Sequence, residues 1–225
     1  MMRVEERGER LDNGNCKDTE RGSGKTRKIP TLYERRFDGG RIVETTSVIT
    51  PGCEWVENGE GEATEKVDGA ACAIIDGKFY KRYDATPKRG RKPPKDGIPC
   101  QPLPDPFTMH WPWWVPVRQR SVADQHFVFA YMNSPWITED GTYEAVGLHF
   151  NGNPYGLDDD FLEKHGRIKI KDCPRDFEGV REYLRTHAIE GIVFWKDGVP
   201  GCKIKRRDFG FAWPVKEEVM EHGDD

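Results

Sequence analysis

The first pattern with chemical meaning is a short lysine motif, Lys66-Val67-Asp68-Gly69. A lysine attacks a phosphorus atom only as the neutral amine, and an ordinary lysine is protonated at pH 7. Neighbouring cations or partial burial lower the pKa of a lysine and expose its lone pair. A K-x-D-G pattern arises by chance in roughly 5% of chains of this length, so taken alone it describes a surface turn equally well.

Two carboxylates open or interrupt apolar segments further along the chain. Glu144 lies inside Tyr143-Glu144-Ala145-Val146-Gly147, and a half-buried carboxylate there needs a partner. A ribose hydroxyl, a cation or a structural ion pair would each satisfy it. Glu190 precedes Gly191-Ile192-Val193-Phe194, where a carboxylate could hold a divalent metal ion.

Two basic pairs complete the set. Lys81-Arg82 follows the lysine motif by about fifteen residues, and a solvated strand face is its alternative interpretation. Strand alternation puts Lys203 and Lys205 on one face, where two lysines repel each other unless an anion lies between them. A triphosphate would serve as that anion, and plain solvent is the alternative.

Two predicted hairpins position these residues. Residues 71–75 and 79–83 flank Asp76-Gly77, and residues 191–195 and 202–205 flank Asp197-Gly198. Asp-Gly favours the type I′ turn, and the flanks are rich in β-branched and aromatic residues. The lysine motif precedes the first hairpin, Lys81-Arg82 lies on its returning strand, and Glu190 opens the second.

The remaining segments predict a fold in which strands dominate. We expect a strand over 142–150, helices over 121–132 and 176–187, and an extended surface loop over the proline-rich segment 87–116. The fold class is therefore α+β with antiparallel sheet. Residues 1–27 are polar and predict a flexible tail, residues 28–214 one folded domain, and residues 215–225 an acidic tail.

Composition narrows the setting. The formal net charge is −4, yet residues 78–95 carry eight Lys or Arg against one acid, which fits a phosphate-rich substrate in one groove. No apolar run approaches the roughly 18 residues of a membrane span. None of the six cysteines forms a C-x-x-C pair, and the charged start is unlike a secretory signal. We expect reduced thiols, no membrane and a cytoplasmic location.

The five patterns, in this order, resemble the motifs of covalent nucleotidyltransferases, the polynucleotide ligases and mRNA capping enzymes. The resemblance spans residues 29–213. Residues 144–156, which end in Gly152-Asn153-Pro154-Tyr155-Gly156, are most similar to the single-domain ATP-dependent 5′-to-3′ RNA ligase family. The resemblance implies a nucleotidyltransferase (adenylylation) domain of the ATP-grasp-like ligase type. It also implies ATP, Mg²⁺ or Mn²⁺, and RNA ends as ligands.

The resemblance also implies residue roles. Lys66 would take AMP from ATP as a covalent adduct, and Lys203 and Lys205 would hold the phosphates and act in catalysis. Glu190 would help to place the metal. The other expected nucleotide contacts are Glu65 beside the adenine, Arg82 near the sugar-phosphate and the RNA end, Glu144 on the ribose and Phe150 stacked on the base.

The chain ends about twenty residues after Lys205, so we expect no OB domain, which DNA ligases and capping enzymes carry. Whether a partner protein supplies such a domain stays open.

Two alternatives to an RNA ligase stay open. The enzyme alternative is a GTP-dependent capping guanylyltransferase. The non-enzyme alternative is an RNA-binding module that kept the fold and lost the chemistry, against which the intact lysines and acids argue.

Overall fold

The computed structural model describes residues 29–106 and 108–215. The predicted tail at 1–27 and all but the first residue of the predicted acidic tail lie outside the described residues. The strands are β1 (Tyr33–Asp38), β2 (Arg41–Ile49), β3 (Glu62–Lys66), β4 (Ala70–Ile75), β5 (Lys78–Ala85), β6 (Ile98–Pro99), β7 (Trp111–Pro116), β8 (Gly141–Val146), β9 (Phe161–Lys164), β10 (Gly191–Lys196) and β11 (Val199–Lys205). The α-helices are α1 (Gln125–Met132) and α2 (Phe177–Thr186).

Antiparallel sheets dominate, as the sequence predicts. One sheet has the order β11-β10-β3, a second has the order β6-β7-β5-β4-β8-β9, and β1 and β2 form a separate ladder. The three-stranded sheet packs its core with α2, and residues such as Val180, Leu184 and Ile192 are fully buried there. The six-stranded sheet packs against α1 around Tyr143 and Leu162. Among the described residues, no helix is long and apolar enough to cross a membrane.

Both predicted hairpins are confirmed. The strands β4 and β5 meet at Asp76-Gly77, and β10 and β11 meet at Asp197-Gly198. All four turn residues have positive φ angles, between 51° and 76°. Two successive residues in this region define the type I′ turn that Asp-Gly favours.

The predicted helices are confirmed with small changes at their starts. The Asp176 side chain caps α2 by accepting a hydrogen bond from the Gly179 amide at 2.8 Å. The predicted helix at 121–132 begins as a short 3₁₀ turn over Val122–Asp124 and becomes α-helical at Gln125. The Ser121 side chain makes no capping hydrogen bond.

Two segment predictions were wrong. The proline-rich segment is not all loop, because β7 pairs with β5 along its whole length and buries Trp114 completely. Its prolines are tolerated because the outer neighbour of β7 is only the two-residue strand β6. The predicted strand over 142–150 ends at Val146, where Gly147 takes a φ of 128° and turns the chain.

Candidate functional site

Seven of the eight predicted site residues line one cavity. They are Glu65, Lys66, Arg82, Glu144, Glu190, Lys203 and Lys205. The cavity has a volume of about 370 Å³, which lies within the usual range for ligand pockets. Its walls come from both large sheets, so residues far apart in the sequence meet there.

The charged centre of the cavity is a carboxylate held between two lysines. Glu190 accepts hydrogen bonds from Lys66 Nζ at 2.5 Å and from Lys205 Nζ at 2.6 Å, one on each oxygen. The strand register explains this meeting, because Gly191 pairs with Lys66 on one side and with Lys205 on the other. A Cβ at Gly191 would lie 2.3 Å from the Ile204 carbonyl oxygen, so only glycine allows the strands to pack this closely.

The third lysine, Lys203, lies two residues back on the same face of β11. Burial, followed by the nearby charges of Lys205 and Lys66, lowers its pKa to about 8 even though Glu190 acts in the opposite direction. Within the described part of the chain, no carboxylate forms an ion pair with Lys203. An anion that enters the cavity would stabilise the protonated form of Lys203.

The opposite wall, from the six-stranded sheet, presents a carboxylate with spare hydrogen-bonding capacity. One oxygen of Glu144 lies 3.1 Å from His165 Nε2, and the ring is held by Thr142 at 2.8 Å from Nδ1. The second Glu144 oxygen is buried without a hydrogen-bond partner. Because a buried unsatisfied acceptor is costly, this oxygen marks a place for a ligand donor such as a hydroxyl.

Two further predicted residues have different surroundings on this cavity. The Arg82 guanidinium, from β5, lies 3.0 Å from the Asp84 carboxylate and remains partly exposed. Burial and the nearby charge of Glu163 raise the pKa of Glu65. Lys81 points to the other face of β5, where it pairs with Asp124.

The lysine motif is fixed by residues whose role the sequence did not reveal. The Asp68 carboxylate accepts from Trp213 Nε1 at 2.7 Å and from the Asn151 amide at 2.9 Å. The Asp68 backbone amide donates to the Tyr155 hydroxyl at 2.7 Å. A Cβ at Gly69 would lie 2.3 Å from the Ala145 carbonyl oxygen, which explains the glycine. Asn151 and Tyr155 lie in the stretch that carries the family resemblance.

Phe150 is the predicted residue that the structure does not bring to the cavity. Its ring is only 5% exposed and packs edge-on against Phe127 at 5.1 Å between ring centroids. The turn at Gly147 ends the strand early and directs Phe150 into the core under α1. The rings that do line the cavity are His165 and Trp195, and Trp195 is oriented by a 2.8 Å hydrogen bond from Nε1 to Thr64.

The site thus combines clustered cations, a shared carboxylate and an unsatisfied buried acceptor, which suits an anionic ligand that carries hydroxyl groups.

Comparison with known proteins identifies the family to which the chain is similar. A family model described as RNA ligase 1 matches residues 135–223, which include Glu144, Glu190, Lys203 and Lys205. RNA ligase 1 of Rattus norvegicus is 30% identical over an alignment that covers 70% of each chain. The Mus musculus protein is 29% identical over 70% of this chain and 69% of its own.

A shorter match to RNA ligase 1 of Danio rerio is 32% identical over 35% of this chain and 27% of that protein. The chain belongs to the RNA ligase 1 family. The resemblance of residues 144–156 to an RNA ligase family is confirmed.

Proposed function

We propose that the protein is an ATP-dependent RNA ligase that joins 5′-phosphate and 3′-hydroxyl RNA ends through a lysyl-AMP intermediate on Lys66. The observation that carries the proposal is the meeting of Lys66, Lys203 and Lys205 in one cavity with Glu190 between two of them. The RNA ligase 1 relatives support RNA as the substrate. The antiparallel fold is compatible with a nucleotidyltransferase domain of the ATP-grasp-like ligase type.

Lys66 is the proposed nucleophile. Its Nζ would form a phosphoramidate bond with the α-phosphorus of ATP as the bond to pyrophosphate breaks, and its proton would leave before or during attack. In the structure Lys66 donates to Glu190, so attack requires Lys66 to turn from that carboxylate toward the phosphate. Lys203 and Lys205 lie on the neighbouring strand, where they would stabilise the developing negative charge.

Glu190 fits a role in holding Mg²⁺ or Mn²⁺ together with phosphate oxygens. Proteins usually bind Mg²⁺ through one or two carboxylates and the substrate phosphates, so one carboxylate suffices here. Each Glu190 oxygen accepts from one lysine and keeps a second lone pair with which it could bind the ion. A bound divalent ion supplies neutralisation of the phosphate charge.

The wall formed by the six-stranded sheet is the proposed ribose side, and residues of both walls would contact the base. The unpartnered oxygen of Glu144 would accept from a ribose hydroxyl, and His165 holds the other oxygen in place. Arg82 would contact the sugar-phosphate and the RNA end, and Glu65 would lie beside the adenine. We propose that the base lies against the ring of His165 or Trp195 rather than against Phe150.

The proposed setting is the cytoplasm, which fits the free thiols of Cys53, Cys72, Cys173 and Cys202. A protein partner that supplies a further RNA-binding surface remains part of the proposal. Since Lys66, Glu190, Lys203 and Lys205 are intact and together, a module without chemistry is the weaker alternative.

The test is incubation of the full chain with Mg²⁺ and α-labelled ATP or GTP, followed by a denaturing gel. We expect label from ATP that survives denaturation, is labile to acid and stable to base, and is absent from Lys66→Ala. Label from GTP alone would replace the ligase proposal with the capping one. No label from either nucleotide would favour the RNA-binding module.

A further inference from the structure

A second cluster of ligand-type side chains lies outside the cavity. It consists of His126 at the start of α1, His149 in the turn after β8, and Asp160 just before β9. One ligand atom from each residue lies within 4.8 Å of the others. Among the described residues, this is the one group of three or more His, Cys, Asp or Glu side chains with that spacing.

The carboxylate of this cluster is buried and held in a defined orientation. Asp160 is 5% exposed, its Oδ1 accepts from the His149 backbone amide at 3.0 Å, and its Oδ2 lies 2.8 Å from His149 Nδ1. The Asn133 amide donates to the Asp160 carbonyl oxygen at 3.1 Å. A Cβ at Gly147 would lie 2.6 Å from Asp160 Cα, so glycine is what lets the chain bring His149 onto this carboxylate.

The second histidine of the cluster, His126, lies near the same carboxylate but does not hydrogen-bond to it. His126 Nδ1 is buried without a hydrogen-bond partner and lies 4.0 Å from Asp160 Oδ2. The His126 and His149 rings stack at 3.8 Å between centroids, with 18° between their planes. Both rings therefore direct Nδ1 toward the same carboxylate oxygen. Ring stacking alone would not bring both Nδ1 atoms near one carboxylate oxygen. The stack also leaves His126 Nδ1 without the hydrogen-bond partner that a buried polar atom needs.

We propose that His126, His149 and Asp160 bind one zinc-class divalent ion. Two imidazole nitrogens and a carboxylate oxygen suit Zn²⁺ or Co²⁺, whereas Mg²⁺ prefers oxygen ligands. Ligand atoms around a tetrahedral zinc ion lie roughly 3.4 Å apart. The two nitrogen-to-oxygen separations of 2.8 Å and 4.0 Å bracket that value. Because each Nδ1 lone pair lies in its ring plane, the two stacked rings must also turn toward each other for one ion to meet both nitrogens. The proton between His149 and Asp160 would leave to solvent as the ion binds.

The ion would act on structure rather than on the ligation chemistry. It would join α1, the turn after β8 and the start of β9 through one bond to each. His149 lies two residues before Asn151, whose amide donates to both Asp68 and Gly69 in the lysine motif. The two histidine side chains are 35% and 42% exposed, so water can fill the remaining coordination position.

The test uses the full chain after treatment with a chelator, titrated with Co²⁺ and then with Zn²⁺ in competition. We expect one ion per chain, a visible Co²⁺ spectrum of tetrahedral nitrogen and oxygen ligation, and a higher melting temperature with Zn²⁺. His126→Gln and His149→Gln should each weaken Zn²⁺ binding on the order of 100-fold. His110→Gln is the matched control, since His110 also lies 3.0 Å from a carboxylate, that of Asp84, but without a second histidine.

Several results would overturn the proposal. They are a Co²⁺ spectrum of all-oxygen ligation, an intense thiolate band, or Zn²⁺ affinity that is unchanged in the His126→Gln/His149→Gln double variant. The wild-type spectrum decides the ligand type even if a variant fails to fold. Because these readouts need neither ATP nor RNA, they are independent of the proposed ligase activity.

Discussion

The two large sheets contribute different chemistry to the same cavity. The three-stranded sheet supplies a dense set of charges, in which two lysines share Glu190 and a third, Lys203, has a lowered pKa. The six-stranded sheet supplies a carboxylate, Glu144, whose histidine partner leaves one oxygen free. The first wall is suited mainly to phosphate chemistry and the second to recognition of the ribose, while Glu65 of the first wall would lie beside the adenine. Substitutions on the two walls should therefore change different steps of the reaction.

The largest expected effect lies on the charged wall at Lys66. Lys66→Ala should reduce sealing of 5′-phosphate RNA with ATP by at least about 10³-fold, because the nucleophile is removed. It should retain sealing of RNA supplied already adenylylated, with Mg²⁺ present, since that step does not pass through Lys66. Gel-based sealing assays on both substrates measure the difference.

The matched comparison for that result is Lys205→Ala. Lys205 shares Glu190 with Lys66, but its proposed contact with the phosphate is made in every step. We expect sealing of both substrates to slow by roughly 10²-fold. Normal sealing of ordinary RNA by Lys66→Ala would show that the covalent mechanism does not apply. If neither folded variant sealed pre-adenylylated RNA, the separation of steps would be wrong.

The next effect concerns Glu190, whose side chain is 6% exposed between the two lysines. Removal of one member of a buried ion pair leaves the remaining charge uncompensated. Because Lys66 and Lys205 keep 19% and 32% exposure, we expect Glu190→Gln to cost about 2 kcal/mol in the free energy of unfolding. We expect it to abolish adenylylation as well. Urea unfolding and α-labelled ATP measure the two quantities.

The control is Glu62→Gln, which removes a carboxylate whose ion pair with Lys169 is largely exposed. Its stability should stay within about 0.5 kcal/mol of the wild type. Full adenylylation by a folded Glu190→Gln chain would remove Glu190 from the proposed chemistry and leave it a structural role.

Local patterns predicted much of the three-stranded wall from the sequence. Alternation along β11 puts Lys203 and Lys205 on one face, and the Asp-Gly turn closes the hairpin that carries them. A register shift between Phe194 and Trp195, which the sequence did not reveal, then brings Glu190 beside Lys205. These are short-range features. The ion pair of Glu190 with Lys66 depends instead on the pairing of β10 with β3, which are more than 120 residues apart. The sequence offered only the motif order for that contact.

The six-stranded wall was harder to predict because its features depend on tertiary packing. The prolines of β7 predicted a loop, yet the segment forms a strand. Its prolines are tolerated because the outer neighbour, β6, is only two residues long. Phe150 was expected to stack on the adenine base, but the turn at Gly147 places its ring in the core. His165 gives no local signal of its partnership with Glu144, because the two are joined through the pairing of β8 with β9.

A smaller effect is expected on the recognition wall. Glu144→Gln keeps the size of the side chain but removes the charge that His165 and the proposed ribose hydroxyl use. We expect the KM for ATP in adenylylation to rise about tenfold, with kcat changed less than about threefold, as for loss of uniform binding. Initial-rate measurements over a range of ATP concentrations test this. A fall in kcat with no change in KM would assign Glu144 to the chemical step and break the division between the two walls.

The smallest effect is a pH dependence of stability that comes from Lys203. Its folded pKa is about 8, below the ordinary value of 10.5, because burial and the neighbouring lysines disfavour its charge. Between pH 8 and about 10.5 the unfolded chain keeps a proton that the folded chain has lost, so this group's contribution to stability rises with pH across that window. Below pH 8 both states are protonated, and the folded state bears the cost of the buried charge.

Lys203→Met removes this contribution and should be more stable than the wild type at pH 7, by on the order of 1 kcal/mol after allowance for solvent screening. The gap should narrow as the pH rises from 8 to 10. Buried groups with raised pKa values, such as Cys173, are present in both chains, so their effects cancel in the difference. Urea unfolding at pH 7, 8, 9 and 10 measures the gap, with Lys78→Met as an exposed-lysine control on β5. A gap that stays constant from pH 7 to 10 would show that Lys203 titrates normally. The cavity would then be less positive around that lysine than its neighbours imply, which would weaken the case for a triphosphate bound at this wall.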